Sequence, residues 1–297
     1  MNNHLKFSFE FFPPKNRSMS ISLWKTIDKL SKLNPHFVSV TYGAGGTTRD
    51  RTHQIIKKIS NQTNLNPVPH LTCIGSSKKE IEKIVRRYLK IGVKHIVALR
   101  GDLPQGYIHP KDGYDYAWQL VQGLKQIYDF EISVAGYPEK HPEAKTMDDD
   151  LDNIKRKVDS GATRIITQFF FDNNKFYEYK NLLEQKQIKV NMVPGILPIV
   201  NFSQTVKFAK ACGASIPKHF YSLFDNSNDN SITPIISSHI AIKQCQELQQ
   251  YGINQFHFYT LNRAELMLAI CHILGIKESS FQDKYGGINR FKENKHN

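Results

Sequence analysis

Short apolar runs alternate with amphipathic stretches along the whole chain. Lys6 to Phe12 is the first run, and Leu23, Ile27, Leu30 and Leu33 then recur at helical spacing. Phe37 to Thr41 follows as a second strand, a helix from about Arg49 to Ser60, and Val68 to Cys73 as a third strand. Ser77 and Glu80 make a capping box that opens a helix ending near Ile91. After Ile96 to Leu99 comes a helix around Tyr116 to Ile127, then the strand Ile132 to Ala135. Thr146 and Asp149 repeat the capping signal for a helix through Val158. The strand Arg164 to Phe171 precedes a helix near Phe176 to Leu183. Val190 to Ile196 is the seventh strand candidate, with a helix over Phe202 to Ala211 behind it. Phe224 to Thr233, rich in Asp, Asn and Ser, reads as an exposed loop. A helix from about Pro234 to Tyr251, the strand Gln255 to Thr260 and a last helix from Arg263 complete the pattern.

Eight strands alternating with helices predict an α/β protein of (β/α)8 TIM-barrel type, one domain over 1–297 with a polar tail from about Ile276. The rival doubly wound sheet announces itself with a Gly-x-Gly-x-x-Gly turn after its first strand. Here that position holds Glu10-Phe11-Phe12-Pro13-Pro14, so the barrel is preferred.

Composition narrows the class. No apolar run reaches the ~18 residues of a membrane span, and the first residues lack the apolar segment of a secretory signal. Cys73, Cys212, Cys245 and Cys271 lie far apart with no Cys-x-x-Cys pair, which fits a reducing cytoplasm and no metal site. The formal charge of +13 raises nucleic acid as a partner, but the lysines are dispersed, as in Lys57-Lys58, Lys78-Lys79 and Lys155 to Lys157. Neither a basic arm nor an aromatic-glycine RNA signature accompanies them. Solvated basic helices are the better reading, with no nucleic acid and no membrane partner.

A barrel builds its site where its strands end. Those ends carry Glu10, Thr41-Tyr42, His70, Arg100-Gly101-Asp102, Tyr137, Gln168, Gln204 and Tyr259 to Arg263. Single members have plainer explanations: Gln204 as the capping partner of Asn201, His70 as a hydrogen-bonded core residue, Phe169 to Phe171 as barrel packing. Together they make one polar, aromatic rim. Glu10 interrupts an apolar strand, with alternation turning Phe9 and Phe11 away and leaving Ser8 and Phe12 beside it. A carboxyl pointing into a barrel should have its pKa raised by desolvation, which suits a general acid, unless an arginine pairs with it. Asp102, with Arg100 nearby, should stay ionised, so the two acids could take different tasks.

Eight stretches carry a family resemblance. They are Ser8 to Lys15, Val38 to Ala44, Pro69 to Cys73, Leu99 to Pro104, Tyr137 to Pro142, Ile166 to Asp172, Pro194 to Pro198 and Phe256 to Arg263. In order and spacing, from about Lys6 to Leu274, the chain resembles the methylenetetrahydrofolate reductases in their short bacterial form, catalytic domain only. The resemblance implies a (β/α)8 barrel holding FAD. It also implies ping-pong reduction of 5,10-methylenetetrahydrofolate to 5-methyltetrahydrofolate, with NADH favoured over NADPH as the hydride donor. Glu10 matches the general acid that protonates N10 of the folate, and Asp102 the carboxylate beside flavin and pterin. Gln168, Gln204 and Arg263 match folate-holding residues, Phe208 an aromatic that packs on nicotinamide or folate, and Thr41 a nicotinamide contact.

For the flavin, the matching positions are Tyr42, His70, Arg100, Gly101, Asp102, Tyr116, Ala117, Tyr137, His141, Asp150, Asn153, Arg156 and Lys157. Of these, Arg156 and Lys157 would serve the pyrophosphate, while Ala162 sits in a supporting segment. The loop Gln105 to Tyr114 is longer than is usual for the family. A homotetramer is implied as well. The alternatives are another FAD-bearing barrel of the proline dehydrogenase type and a basic nucleic-acid-binding module.

Overall fold

In the computed structural model, residues 5–42, 46–102, 106, 108–225 and 232–278 are described. Gly43-Ala44 and Leu103-Pro104 of the quoted motifs lie outside these residues, as do 226–231 of the expected loop and the chain beyond 278.

The strands are β1 (Lys6–Phe11), β2 (Phe37–Val40), β3 (Pro67–Thr72), β4 (His95–Leu99), β5 (Glu131–Gly136), β6 (Arg164–Thr167), β7 (Asn191–Val193), β8 (Gly195–Ile196) and β9 (Gln255–Tyr259). All pair in parallel, in the order β7-β6-β5-β4-β3-β2-β1-β9-β8. The expected seventh strand is thus broken at Pro194, which has no N–H to give to a ladder. Its first half pairs with β6 and its second with β9, which brings the sheet round into a barrel.

Helices α1 (Arg17–Ser31), α2 (Gly46–Gln62), α3 (Lys78–Lys90), α4 (Ala117–Ile127), α5 (Met147–Asp159), α6 (Asn173–Gln185), α7 (Phe202–Cys212), α8 (Lys218–Asp225), α9 (Ile232–Gln250) and α10 (Ala264–Ile273) flank the strands. Both expected capping boxes form, at Ser77 with Glu80 and at Thr146 with Asp149. None of these helices is long and apolar enough to cross a membrane.

Alternation along β1 sorts its side chains. Phe7, Phe9 and Phe11 point outward into the main core, with Leu23, Ile27 and Leu30 of α1 and with Phe256 and Phe258. Ser8 and Glu10 point inward, where they are buried as well.

Three boundaries differ from expectation. β6 stops at Thr167 because the chain leaves the ladder after Gln168 N–H donates to the Gly136 carbonyl. Phe224 is no loop residue but the buried end of α8, packed with Ile199 and Phe220. Ile276, the expected start of the polar tail, is buried in the main core, and its N–H donates to the Cys271 carbonyl at 2.9 Å.

Candidate active site

Because every strand runs the same way, Glu10, His70, Gly136, Thr167 and Tyr259 come out at one end of the barrel. A cavity of about 350 Å³ opens there. Glu10, Thr41, His70, Tyr137, Gln168 and Phe208 line it, as expected, together with Phe12, Cys212, Tyr259 and Leu261.

Glu10 forms its floor. Its carboxylate Oε2 lies 3.3 Å from His70 Nε2 and 3.5 Å from His257 Nε2, and its side chain is only 9% exposed. Both Nε2 atoms are buried without a well-aligned hydrogen bond. Behind His257, Ser8 Oγ is 2.7 Å from Nδ1 and 3.4 Å from the Phe256 carbonyl. When the hydroxyl donates to Nδ1, the ring proton sits on Nε2 and faces the carboxylate.

Burial pushes the Glu10 carboxyl up, but the charge of His70 and the polar contacts of both imidazoles outweigh it and hold the pKa down to about 2. The expected raised acid is therefore corrected, and its partners are two histidines rather than an arginine. Burial lowers His257 below the 6.5 of a free imidazole, while the contact with Glu10 opposes that. A proton entering this cluster is shared between carboxylate and imidazole.

The sequence set Ser8 beside Glu10 and His257 within a family stretch but gave neither a role. The signal was present: His257 stands between Phe256 and Phe258 as Glu10 stands between Phe9 and Phe11. Ladder register then sets His257 opposite Ser8 and Tyr259 opposite Glu10. Gly195 makes room for the ring of Tyr259, since a Cβ there would sit 2.2 Å from the Thr167 carbonyl and 2.6 Å from the ring. The Tyr259 hydroxyl donates to that carbonyl at 2.8 Å.

A second group of residues forms the rim after β4 and β5. The rings of Tyr137 and His141 meet edge to face at 4.5 Å. His141 N–H donates to the buried Asp150 carboxylate at 2.9 Å, and Glu143 N–H to His141 Nδ1 at 3.1 Å. Arg100 pairs with Glu143 at 2.7 Å rather than with Asp102, which corrects the expected partnership. Its Nε is nevertheless buried without a partner.

Asp102 stands exposed at the rim, and its charge reaches Tyr137 and Cys212. Gly101 sits at φ 78°, where a Cβ would lie 2.7 Å from the Thr72 side chain, so its backbone stays open. Half-buried Lys157 donates to the Ala135 carbonyl at 3.1 Å. Burial lowers its ammonium to about 8, against the pull of Asp150. An orphaned guanidinium N–H, a lysine short of counter-charge and an aromatic pair together fit an anionic cofactor with a flat ring.

Other expected residues lie outside the cavity. Tyr116 is exposed just before α4, with Ala117 buried at the first position of that helix. Asn153 and Arg156 lie on α5, the latter exposed. Gln204 sits exposed in the first turn of α7, its N–H donating to Asn201 Oδ1, and Arg263 stands exposed at the start of α10. Tyr42 is half-buried next to Thr41. No cluster of three His, Cys, Asp or Glu among the described residues is placed to hold a metal ion.

Known proteins resemble the chain over most of its length. The family profile described as methylenetetrahydrofolate reductase matches residues 1–275. The 5,10-methylenetetrahydrofolate reductase of Escherichia coli K12 is 49% identical over 278 residues, which is 93% of each chain. The methylenetetrahydrofolate reductase (NADH) 1 of Zea mays is 34% identical over 92% of this chain and 49% of its own length. A Clostridium thermocellum protein solved with two copies of 5-methyl-5,6,7,8-tetrahydrofolic acid shares the fold at a TM-score of 0.63. It is 18% identical over 92% of this chain and 96% of its own.

Proposed function

The chain belongs to the methylenetetrahydrofolate reductase family, and on that footing we propose that it binds FAD and reduces 5,10-methylenetetrahydrofolate to 5-methyltetrahydrofolate with NADH or NADPH. The observation that carries the reading is the floor of the cavity, where a buried carboxylate meets two imidazoles beneath open space.

Arg100, Tyr137, His141, Asp150 and Lys157 would hold the flavin along the rim, with Gly101 offering open backbone and Arg156 and Lys157 facing the pyrophosphate. FAD, when bound, supplies two-electron storage between nicotinamide and folate. Thr41 and Phe208 would take the nicotinamide in the same cavity that later takes the pterin, so the two substrates bind in turn.

The folate needs a proton at N10 before its five-membered ring can open. Glu10 gives it. The carboxylate is itself recharged through the shared cluster, with His257 and His70 as the neighbours that hand the proton on. Opening leaves a cationic iminium at N5, and the negative charge of Asp102 at the rim favours that cation. Gln168 would bond the pterin edge, Phe208 would cover the ring, and Gln204 and Arg263 would meet the more exposed parts of the folate. A guanidinium suits its terminal carboxylate.

The test is an anaerobic titration of the FAD-loaded protein. NADH or NADPH should bleach the flavin, and methylenetetrahydrofolate should restore its absorbance with one equivalent of 5-methyltetrahydrofolate formed. Flavin that is bleached but not reoxidised by the folate would overturn the proposal.

A further inference from the structure

The turn from β9 into α10 holds two successive residues in the left-handed region, Leu261 at φ 48° and Asn262 at φ 57°. That conformation is unfavourable for a side chain with a Cβ, and more so for leucine than for asparagine. Glycine would relieve it, so something must offset the strain. Leu261 lines the mouth of the cavity and packs against the cluster of Phe169, Leu197 and Ala209.

Asn262 binds one residue of β1's exit twice. Its Oδ1 accepts from Phe12 N–H at 3.0 Å, and its Nδ2 donates to the Phe12 carbonyl at 3.0 Å. Thr260 closes the same junction, with Oγ1 donating to the Glu10 carbonyl at 2.6 Å and accepting from Asn262 N–H at 3.1 Å. From α1, Thr26 Oγ1 donates to the Asn262 carbonyl at 3.1 Å. On the far side of the turn, Arg263 N–H donates to the Thr260 carbonyl at 2.9 Å as α10 begins.

The Asn262 amide thus ties the Phe12 backbone to the turn, while Thr260 ties the same turn to the carbonyl of the acid and, through its own carbonyl, to the Arg263 N–H. We propose that Asn262 is a positioning residue for folate: it fixes the exit of β1 against the start of α10, setting Phe12 and Arg263 at the spacing the substrate needs. This rests on the folate reading given above.

Asn262→Ala removes both amide bonds. Asn262→Gly removes them too, but accepts the left-handed backbone without strain and so keeps the turn folded. Both variants should raise KM for methylenetetrahydrofolate about tenfold while kcat and bleaching of the flavin by NADH stay within about twofold. Asn262→Asp keeps the acceptor for Phe12 N–H and should fall between them and the wild type. An unchanged folate KM in both Ala and Gly variants, or an equal loss in the two half-reactions, overturns the proposal.

Hydrogen exchange at the Phe12 amide separates this claim from the function itself. Faster exchange in both variants, with a wild type that does not reduce folate, removes the functional reading and leaves the clamp. Unchanged exchange removes the clamp whatever the turnover.

Discussion

The barrel interior is polar at both ends, and the two ends differ in what they leave unfinished. At the closed end, Arg164 is 2.6 Å from Glu131, and its guanidinium lies 5.3 Å over the ring of Phe37. His95 Nε2 meets Ser133 Oγ at 2.8 Å, and burial followed by the charge of Arg164 drives that imidazole well below its ordinary value. The cavity lined by Phe37 and Arg164 is about 10 Å³, too small to admit more than one water.

At the open end, Glu10 and His70 line about 350 Å³ of space with His257 buried behind them, and both imidazole Nε2 atoms have only the Glu10 carboxylate nearby, without a well-aligned hydrogen bond. Phe37 divides the two, stacked 5.7 Å from His257 and edge-on to His95 at 4.8 Å. Buried histidines and acids alone therefore do not mark a site. What distinguishes one is incomplete satisfaction beside an opening.

Breaking the open end should have the largest effect. Glu10→Gln keeps the shape and removes the titratable proton, so folate reduction should fall by about 10²–10⁴-fold while flavin reduction by NADH persists. Stopped-flow measurement of the two half-reactions reads this directly, and an equal loss in both would erase the distinction between the ends.

Breaking the closed end should cost folding instead. Arg164→Leu leaves Glu131, 42% exposed, without its partner. Because water screens that carboxylate, the loss should be about 2 kcal/mol of stability rather than the full cost of a stranded buried charge. Urea unfolding should show it, with both half-reactions unaltered at 25 °C.

A smaller effect sharpens the rim. Lys157 titrates near 8 without a pyrophosphate beside it, so it is charged below that pH and neutral above it. A pyrophosphate needs the charged form, and binding above pH 8 must take up a proton. FAD affinity should then weaken about tenfold per pH unit above 8, and Lys157→Met should flatten that slope. Quenching of flavin fluorescence between pH 7 and 10 measures it.

Much of this was legible before any coordinates. The barrel could be read because each apolar run is followed by an amphipathic one, and because parallel strands carry their chemistry at one end. Glu10 was legible because a carboxylate in an apolar strand has no packing reason to be there. His257 escaped because an imidazole among aromatics does not look out of place, and with it went the correct sign of the Glu10 shift.

The partner of Arg100 was hidden because Glu143 lies 43 residues away on another loop. α8 was hidden by the Asp, Asn and Ser residues that follow it, although Phe220 and Phe224 sit one turn apart. The break at Pro194 was readable in principle, since proline cannot serve the interior of a ladder.

That broken strand has a consequence for how the molecule opens. β8 pairs with β9 only through Gly195 with His257 and Ile196 with Phe258, fewer partners than at any other junction of the ring. The next rung is the N–H of His257 itself, donated to the Pro194 carbonyl at 3.0 Å. The seam of the barrel therefore runs beside the proton store, and the first rungs to unzip in a partial opening are those that hold the imidazole against the acid. A denaturant too weak to melt the helices should already disarm the chemistry.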